Sequence, residues 1–432
     1  MNTNPWVRTG SARGLPLLLL AYASLMMHFI FSRAFRDSLL GSHLNIRSLP
    51  YLTLWGTVFA TIVSLAVSGL LRSKQRALTV RRVYLVNALI EVLFSLECKR
   101  VPWLYSLYYI EVSASTAVGL SMIWILIGDW ASSCNADRNE LIPNVMVYGT
   151  ASGILAGVGL TRLRIATSFV DATLMLAAMN VVSALALAFY SSDYCLTRPR
   201  SALQDLLQSG AYLTNKLLRK FAVLTIVAAT ASTLLDLMFR VRVAEHYLLQ
   251  SDRLHFLGLF QSMLNLSALL FQAAMGSLLH KKKGLRFFHL HPAILFIASC
   301  FTTFAPGFWA FTFLRGGEYS LRNSLYRLGS ELTYACLPDD KRGAIRPLID
   351  VIGERLGDVC ASGILAFLLF VNPKLPVKLG LLLLALCSLM FWWMCRSLEG
   401  ELTAIGITAR RDLALSQTAN YGAIAQESAG IF

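Results

Sequence analysis

Residues 103–131 read WLYSLYYIEVSASTAVGLSMIWILIGDWA, and this stretch decides the fold class. Its charged side chains are those of Glu111 and Asp129, and it contains no proline. A bilayer hydrocarbon core of roughly 30 Å needs about 20 apolar residues of helix, so the stretch is long enough to cross a membrane. The sequence therefore predicts a transmembrane helix here.

The rest of the chain has the same character. Of its 432 residues, 56% are hydrophobic and 15% are charged, whereas soluble domains carry about 25% charged residues. This composition excludes a disordered chain, a secreted disulfide scaffold and a cytosolic enzyme. The net charge of +15 fits the excess of Lys and Arg in cytoplasmic loops of membrane proteins, so we expect no nucleic acid partner.

Twelve apolar runs predict twelve transmembrane helices and an all-α polytopic membrane protein. The runs are 15–33, 50–71, 82–97, 103–131, 141–161, 166–190, 221–243, 254–279, 287–305, 307–334, 345–371 and 376–396. A polar linker, 191–220, separates two six-helix halves, 15–190 and 221–396, and the termini are 1–14 and 397–432. Parallel six-helix repeats are typical of the major facilitator architecture, whose substrate site lies near the bilayer midplane.

A short internal repeat also indicates two related halves. Helix 1 ends in Phe35-Arg36 with His43 after it, and helix 7 ends in Phe239-Arg240 with His246 after it. Lys and Arg cluster in alternate loops, at 72–82, 198–220, 281–286 and 341–346. Because cytoplasmic loops are enriched in Lys and Arg, we expect both termini in the cytoplasm and the protein in a bacterial inner membrane.

Helix 10 carries charges where lipid-facing residues would be apolar. Arg315, Glu318 and Arg322 recur at i, i+3 and i+7, so they lie on one helix face, and Tyr326 extends it. A charge inside a span costs about 2.5–3.5 kcal/mol, so these side chains need a partner or a water-filled cavity. Either they form an Arg–Glu–Arg network that holds helices together, or they are the cationic wall of a solute pathway. Arginine binds phosphate and carboxylate well because its donors form a planar fork.

We predict two sets of functional residues from this pattern. Helix 8 adds a milder polar stripe that interhelical hydrogen bonding would explain equally well. The predicted substrate-binding residues are Arg36, Arg240, Gln261, Asn265, Arg315, Glu318, Arg322 and Tyr326. The predicted proton-coupling or gating residues are Glu91, Glu111, Asp129, Asp236, Glu331, Asp350, Arg355 and Asp358. Among these, Glu91 and Glu111 are candidates for proton uptake, and Asp129 and Asp350 for gating salt bridges.

Motifs of enzymes and ATP-driven pumps are absent from the sequence. It contains no G-x-x-x-x-G-K-[ST] phosphate loop, no H-E-x-x-H and no G-x-S-x-G. Its eight cysteines show no C-x-x-C spacing, and no cluster has the spacing of metal ligands. We therefore predict no catalytic residues, no cofactor and no metal site.

The region of helices 10 and 11 resembles a known family. The run Arg322-Asn323-Ser324-Leu325-Tyr326-Arg327, followed by Glu331, Tyr334, Leu337-Pro338, Ile349-Asp350-Val351 and Arg355-Leu356-Gly357-Asp358, is similar to the ATP:ADP antiporter family of nucleotide transporters. Patches at 35–39, 128–130, 236 and 239–240 follow in the family's order, so the likeness covers most of residues 15–396. It is nearest to the shorter bacterial relatives.

This resemblance implies a major-facilitator-like fold and nucleotide exchange. The chain departs from the family at Leu328 and Ser330, and its lysines lie in loops or at the ends of the predicted spans, with none in a span interior. Lysines within the spans serve the family's ATP exchangers, so the resemblance transfers the fold better than the substrate.

The sequence leads to one main hypothesis with open alternatives. It predicts a secondary active transporter that moves an anionic solute, such as ATP, ADP or a phosphorylated metabolite, by alternating access. The partners are that solute and membrane lipid. One alternative is a carrier-fold protein that no longer transports and acts as a receptor or assembly factor. Another is a transporter of a different organic anion, such as a siderophore.

Overall fold

The computed structural model describes residues 14–71, 75–98, 100–133, 138–162, 168–190, 216–279, 289–327, 330, 333–334, 348–371 and 377–401. In these residues the chain forms twelve long helices. They are α1 (Gly14–Ser38), α2 (Leu49–Leu70), α3 (Arg76–Glu97), α4 (Leu104–Ser133), α5 (Arg138–Arg162), α6 (Phe169–Ala188), α7 (Lys216–His246), α8 (Gln250–Leu279), α9 (Leu290–Phe304), α10 (Phe308–Leu321), α11 (Glu354–Val371) and α12 (Val377–Glu401). The predicted all-α polytopic fold is confirmed.

Length and composition separate these helices into two groups. Eight of them within the described residues are long and apolar enough to cross a bilayer, namely α1, α2, α4, α5, α6, α7, α8 and α12. The other four carry more charge (α3 and α11) or are shorter, with 15 residues in α9 and 14 in α10. Large apolar side chains such as Phe304, Phe313 and Phe370 lie exposed on the outer surface. Lipid is the environment that such a surface requires.

Several predicted boundaries need correction. Helix α1 continues five residues past 33 to Ser38, and so carries Arg36 and Asp37 inside it. Helix α7 begins at Lys216, inside the predicted linker, and residues 191–215 lie outside the described part. Helix α12 runs to Glu401, into the predicted tail. Lys220 bonds both Ser397 (2.9 Å) and Glu401, which ties the last turn of α12 to α7.

Helices α10 and α11 are joined to π-helical turns, which the sequence analysis read as α-helix. The turn Arg322–Tyr326 follows α10, and the turn Leu348–Gly353 precedes α11. Because a π-helical turn uses i→i+5 hydrogen bonds, it changes the direction in which the following side chains point. Such turns occur often at functional sites.

The two halves contact each other through α5 with α8 and through α2 with α11. Gly157 of α5 lies so close to α8 that a Cβ there would meet the Ser262 hydroxyl and the Gly258 carbonyl oxygen. Small residues permit this approach of two helix backbones in a membrane.

The buried apolar residues show how the halves are arranged. One continuous cluster contains residues of both halves, including Phe35, Tyr108, Leu234 and Phe239, at the end of the bundle where α1 and α7 finish. At the opposite end each half has its own cluster, one from Leu18 to Tyr190 and one from Leu218 to Leu398. The halves are therefore packed together at one end and separate at the other.

Candidate functional site

A cavity of about 460 Å³ lies between the halves, and we call it the central cavity. Three helices of each half line it: α1, α2 and α4 from the first, and α7, α10 and α11 from the second. Its charged lining residues are Arg33, Arg36, Arg240, Arg315, Arg322, Arg355, Asp236, Glu318, Glu354 and Asp358. A small pocket of about 40 Å³ adjoins it beside Asp37 and Gln261. The structure thus brings together most of the predicted substrate-binding residues.

The two arginines of the internal repeat meet at one end of this cavity. Asp37 accepts a hydrogen bond from Arg36 Nε at 2.9 Å and lies 3.2 Å from Arg240. The guanidinium of Arg36 stacks on the Tyr109 ring at 4.5 Å, and Arg240 donates to the Tyr109 hydroxyl at 2.7 Å. Arg36 also donates to Ser113 Oγ at 2.9 Å. One carboxylate and one tyrosine of the first half therefore hold an arginine from each half.

The chain of charges continues along the second half. Asp236 pairs with Arg240 one turn away on α7 and with Arg315 on α10 at 2.9 Å. Arg315 also pairs with Glu318, whose side chain is almost fully buried. Among the described residues no hydrogen bond or ion pair joins Glu318 to Arg322, so Glu318 holds one arginine of the predicted Arg–Glu–Arg network and not both.

Arg322 pairs instead with Glu354 at the start of α11, at 2.9 Å. It also donates to Ser232 on α7 at 2.8 Å, and Arg315 reaches the same hydroxyl at 3.3 Å. Beyond Glu354, Arg355 pairs with Asp358 at 3.3 Å, and Thr233 of α7 donates to Asp358. These contacts connect α7, α10 and α11 across the wall of the cavity.

The exposure of the charged side chains shows where the central cavity opens. The Arg36 side chain is 5% exposed and that of Glu354 is 50% exposed. Arg240, near Arg36, is 8% exposed, whereas Arg322 and Arg355, near Glu354, are 26% and 32% exposed. We call the two ends the Arg36 end and the Glu354 end. The cavity is closed at the Arg36 end, where the shared apolar cluster lies, and opens at the Glu354 end.

Arg33 differs from the other arginines of the cavity. Its guanidinium lies 5.2 Å from the centroid of the Phe29 ring and lines both the central cavity and the small pocket. Among the described residues it has no hydrogen bond and no ion pair within 4 Å. The remaining five arginines each have a carboxylate partner.

Three predicted substrate-binding residues are not among the described lining residues of the central cavity. Gln261 of α8 lines the small pocket. Asn265, one turn further, faces α5, where a Cβ on Gly153 would meet its side-chain nitrogen. Tyr326 is buried in a core of the second half and donates to Thr225 Oγ1 at 3.3 Å. Asn265 and Tyr326 are therefore packing residues in this conformation, because the helix faces that carry them turn toward neighbouring helices.

Two predicted proton-coupling residues are buried inside the first half. Glu91 is 0% exposed and binds His28 Nε2 at 2.6 Å and Asn180 Nδ2 at 3.0 Å. Glu111 is also buried, and its Oε2 atom has no hydrogen-bond partner. Neither carboxylate is among the described lining residues of the central cavity.

The other predicted gating residues divide between described and undescribed parts. Asp129, at the end of α4, receives two hydrogen bonds of 2.8 Å from Arg76 at the start of α3. Both residues belong to the first half, and a gating role for this ion pair stays a prediction. Asp236, Arg355 and Asp358 line the cavity. Glu331 lies outside the described residues, and so does the side chain of Asp350.

The predicted set left out several residues of the site, among them Arg33, Asp37, Tyr109, Ser232 and Glu354. The predicted helix 1, residues 15–33, ends at Arg33, and a basic residue at the end of a span is ordinarily interpreted as a flanking residue. The spacing of three between Arg33 and Arg36 was the available signal, since residues at i and i+3 share a helix face. Tyr109 and Ser232 gave no signal, because single hydroxyl groups are common in membrane helices.

Comparisons with known proteins bear on the fold. No protein-family profile matches the chain, and no curated protein sequence matches it. A mutant of the nucleoside transporter NupG aligns with a TM-score of 0.69 at 12% identity, over 89% of this chain and 99% of that one. The POT family transporter PepTSo aligns with a TM-score of 0.62 at 10% identity, over 89% and 98%. A bacterial homologue of the lysosomal transporter Spinster gives 0.58 at 12%, over 93% and 98%.

The fold is major-facilitator-like. The coverage of nearly the whole length of each of these structures extends the likeness to both halves. At these identities the likeness concerns the fold, and solutes must be argued from the site. The resemblance to ATP:ADP antiporters stays a prediction.

Proposed function

We propose that this protein is a secondary active transporter that moves a small anionic solute across a membrane by alternating access. The observation that carries the proposal is the arginine-rich cavity between the halves, closed at the Arg36 end and open at the Glu354 end. A volume of about 460 Å³ falls in the range of small-molecule sites. Arginine–phosphate and arginine–carboxylate contacts are charge-assisted and roughly twice as strong as neutral hydrogen bonds.

Alternating access would use the contacts between the halves. The pairs α5–α8 and α2–α11 would act as the surfaces about which the halves rock. Breaking the Asp37–Arg240 ion pair would open the Arg36 end, while the halves approach at the Glu354 end. In the predicted orientation, with both termini in the cytoplasm of a bacterial cell, the Glu354 end faces the cytoplasm.

Proton coupling is the proposed role of the buried carboxylates in the first half. Glu91 has a histidine and an amide as partners, so protonation would change its bonds to both. The Oε2 atom of Glu111 has no hydrogen-bond partner, so protonation of this carboxylate would remove a buried negative charge. Such intramembrane carboxylates are functional candidates because an unpaired charge there is costly.

The resemblance at helices 10 and 11 favours a nucleotide or another phosphorylated metabolite as solute. Arg322 and Arg355 of that region line the open part of the cavity, where an entering anion would first meet a guanidinium. An organic anion such as a siderophore would use the same groups. The solute class is therefore decided by experiment.

A non-transporting receptor or assembly factor is the second candidate. The pairing of five arginines with carboxylates favours it, since neutralised networks also hold helices together. The cavity itself and the unpaired Arg33 favour transport. A scaffold gains nothing from a cavity lined by a charge without a carboxylate partner, because such a charge is costly inside a membrane.

Uptake into proteoliposomes tests the proposal. Purified protein would be reconstituted with labelled nucleotides, sugar phosphates and organic anions, under imposed proton and solute gradients. We expect uptake of at least one anion by the wild type and a loss of tenfold or more in Arg322→Ala. Arg100→Ala is the matched control, because Arg100 pairs with Glu97 on the exposed surface. Equal, background uptake by wild type and Arg322→Ala over the whole panel would refute transport of these anions.

A further inference from the structure

We propose that the central cavity selects a solute with a single negative charge, and that Arg33 is the residue that binds this charge. The inference deepens the proposed transport function and rests on it. It concerns a residue for which sequence patterns suggested no role, and it restricts the class of solute.

The charges of the site pair almost completely. In the described part of the chain, six arginines and five carboxylates line the central cavity and its adjoining pocket. Five pairs result: Arg36 with Asp37, Arg240 with Asp236, Arg315 with Glu318, Arg322 with Glu354, and Arg355 with Asp358. One positive charge is left over.

That charge belongs to Arg33. Asp37 and Asp236, which also line the small pocket, already form ion pairs with Arg36, Arg240 and Arg315. Within the described part of the chain, the Phe29 ring is the one specific contact of the Arg33 side chain. Its five donor groups therefore remain available to a ligand in the cavity.

The Arg33 side chain is only partly exposed, and a charge within a membrane span is stabilised by a partner that neutralises it. A singly charged anion on Arg33 would leave the cavity neutral without breaking any of the five pairs. An uncharged solute would leave Arg33 unpaired. A solute with two or more negative charges would have to displace Asp37 or another carboxylate from its arginine, or stay partly unneutralised.

The chemical class is a monocarboxylate or a phosphate diester. Both carry one negative charge at neutral pH and present oxygens that suit a guanidinium. A phosphate monoester carries about −1.5 to −2 charges at pH 7, and nucleoside di- and triphosphates carry more. These latter solutes fit the charge balance less well.

Two matched series of probes test this inference. In each, the skeleton is kept while the charge rises from none to one to two: adenosine, cyclic AMP and AMP, and glucose, gluconate and glucarate. Binding to the purified protein would be measured as the shift in melting temperature across a titration, and uptake in proteoliposomes. We expect the singly charged member of a series to bind wild type at least tenfold more tightly than its doubly charged congener.

Substitutions of Arg33 give the decisive comparison. Arg33→Gln should weaken binding of the singly charged member at least tenfold and move the preference to the uncharged one. Arg33→Lys should keep the preference of the wild type. Arg100→Gln should keep it too, because Arg100 lies on the exposed surface, where it pairs with Glu97. Because Arg33 has no ion-pair partner among described residues, the melting temperature of ligand-free Arg33→Gln should match wild type.

The outcomes separate the two proposals. Binding of a singly charged probe without any uptake would contradict transport and leave this inference standing. Uptake in which AMP or glucarate is preferred, or a preference unchanged in Arg33→Gln, would overturn the inference and leave transport standing. If no singly charged probe binds wild type better than its congeners, the inference is wrong.

Discussion

The carboxylate of Asp37 on α1 lies 3.2 Å from the guanidinium of Arg240 on α7, and so joins the two halves at the closed end of the cavity. Both side chains are at most one-tenth exposed. Arg36 also pairs with Asp37, and the Tyr109 hydroxyl accepts a hydrogen bond from Arg240. The first prediction concerns this contact.

Removing one partner of the Asp37–Arg240 pair should destabilise the protein markedly. Breaking a buried ion pair costs about 3–5 kcal/mol, because the remaining charge is uncompensated. We expect Asp37→Asn and Arg240→Gln each to lower the melting temperature, and the double variant to lose less than the sum. The matched control is the exposed pair Arg100–Glu97, for which about 0–1 kcal/mol is expected. Strict additivity in the buried cycle would contradict a direct coupling.

Arg315 and Arg322 should differ in what their loss does to stability. The partner of Arg315, Glu318, is 1% exposed, whereas Glu354, the partner of Arg322, is half exposed. Arg315→Gln leaves a buried carboxylate unpaired and should destabilise the fold, while Arg322→Gln should reduce uptake with little change in melting temperature. Adding Glu318→Gln to Arg315→Gln should restore part of the lost stability. Equal melting temperatures for the two single variants would show that burial of the partner does not matter.

A side chain at Gly157 should disturb the contact between α5 and α8. Its Cβ would meet the Ser262 hydroxyl and the backbone of Gly258. We expect Gly157→Ala to cost about 1–3 kcal/mol through overpacking and to slow uptake. Gly363→Ala on α11 is the control, since a Cβ there meets no atom within 4 Å. Alanine there should be neutral or slightly stabilising, as it favours helix by about 0.5–1 kcal/mol.

Replacing Glu91 with glutamine tests proton coupling. The amide can still bond with His28 and Asn180 but cannot take up a proton. We expect uptake driven by a proton gradient to fall at least tenfold, while exchange of labelled for unlabelled solute at equal pH continues. Gradient-driven uptake that survives in Glu91→Gln would remove Glu91 from the coupling mechanism and leave Glu111 to be tested in the same way.

His43 predicts a pH dependence of stability. It lies in the loop after α1, stacked on Tyr105 at 4.4 Å, and burial lowers its pKa below the ordinary value of 6.5. In the unfolded chain this histidine takes up a proton below about pH 6.5, which the folded protein resists. Stability should therefore fall as the pH drops from about 6.5 toward the lowered pKa. The fall in melting temperature should be smaller in His43→Gln than in His255→Gln, which replaces a histidine of α8 that stacks on no ring among the described residues. A larger fall in melting temperature at acid pH in His43→Gln than in His255→Gln would contradict this prediction.

The parts of the site that sequence predicted are those with a periodic signal. Arg315, Glu318 and Arg322 share a helix face and do line the cavity. The repeat of Phe-Arg at the ends of helices 1 and 7 predicted two related arginines, and these meet at Asp37. Tyr326 was placed on the same face as Arg322, but the π-helical turn between them rotates it into a core.

Other features depend on tertiary placement. Gln261 and Asn265 are one turn apart, yet the first lines a pocket and the second faces α5. The sequence does not show which arginine lacks a carboxylate partner, because the five partners come from four different helices, α1, α7, α10 and α11. Arg33 was thus found only when the pairs were traced in space.

Arg36 and Arg240 occupy matching positions in the internal repeat, but their acidic neighbours in sequence differ. After Arg36 comes Asp37, but after Arg240 comes Val241; four residues before Arg240 stands Asp236, but four before Arg36 stands Ser32. The acidic companions of two duplicated arginines therefore occupy different places in each copy. If the two halves exchanged conformations, the resulting state would therefore differ in free energy from the present one. A transporter without bound solute would then populate one of its two conformations more than the other.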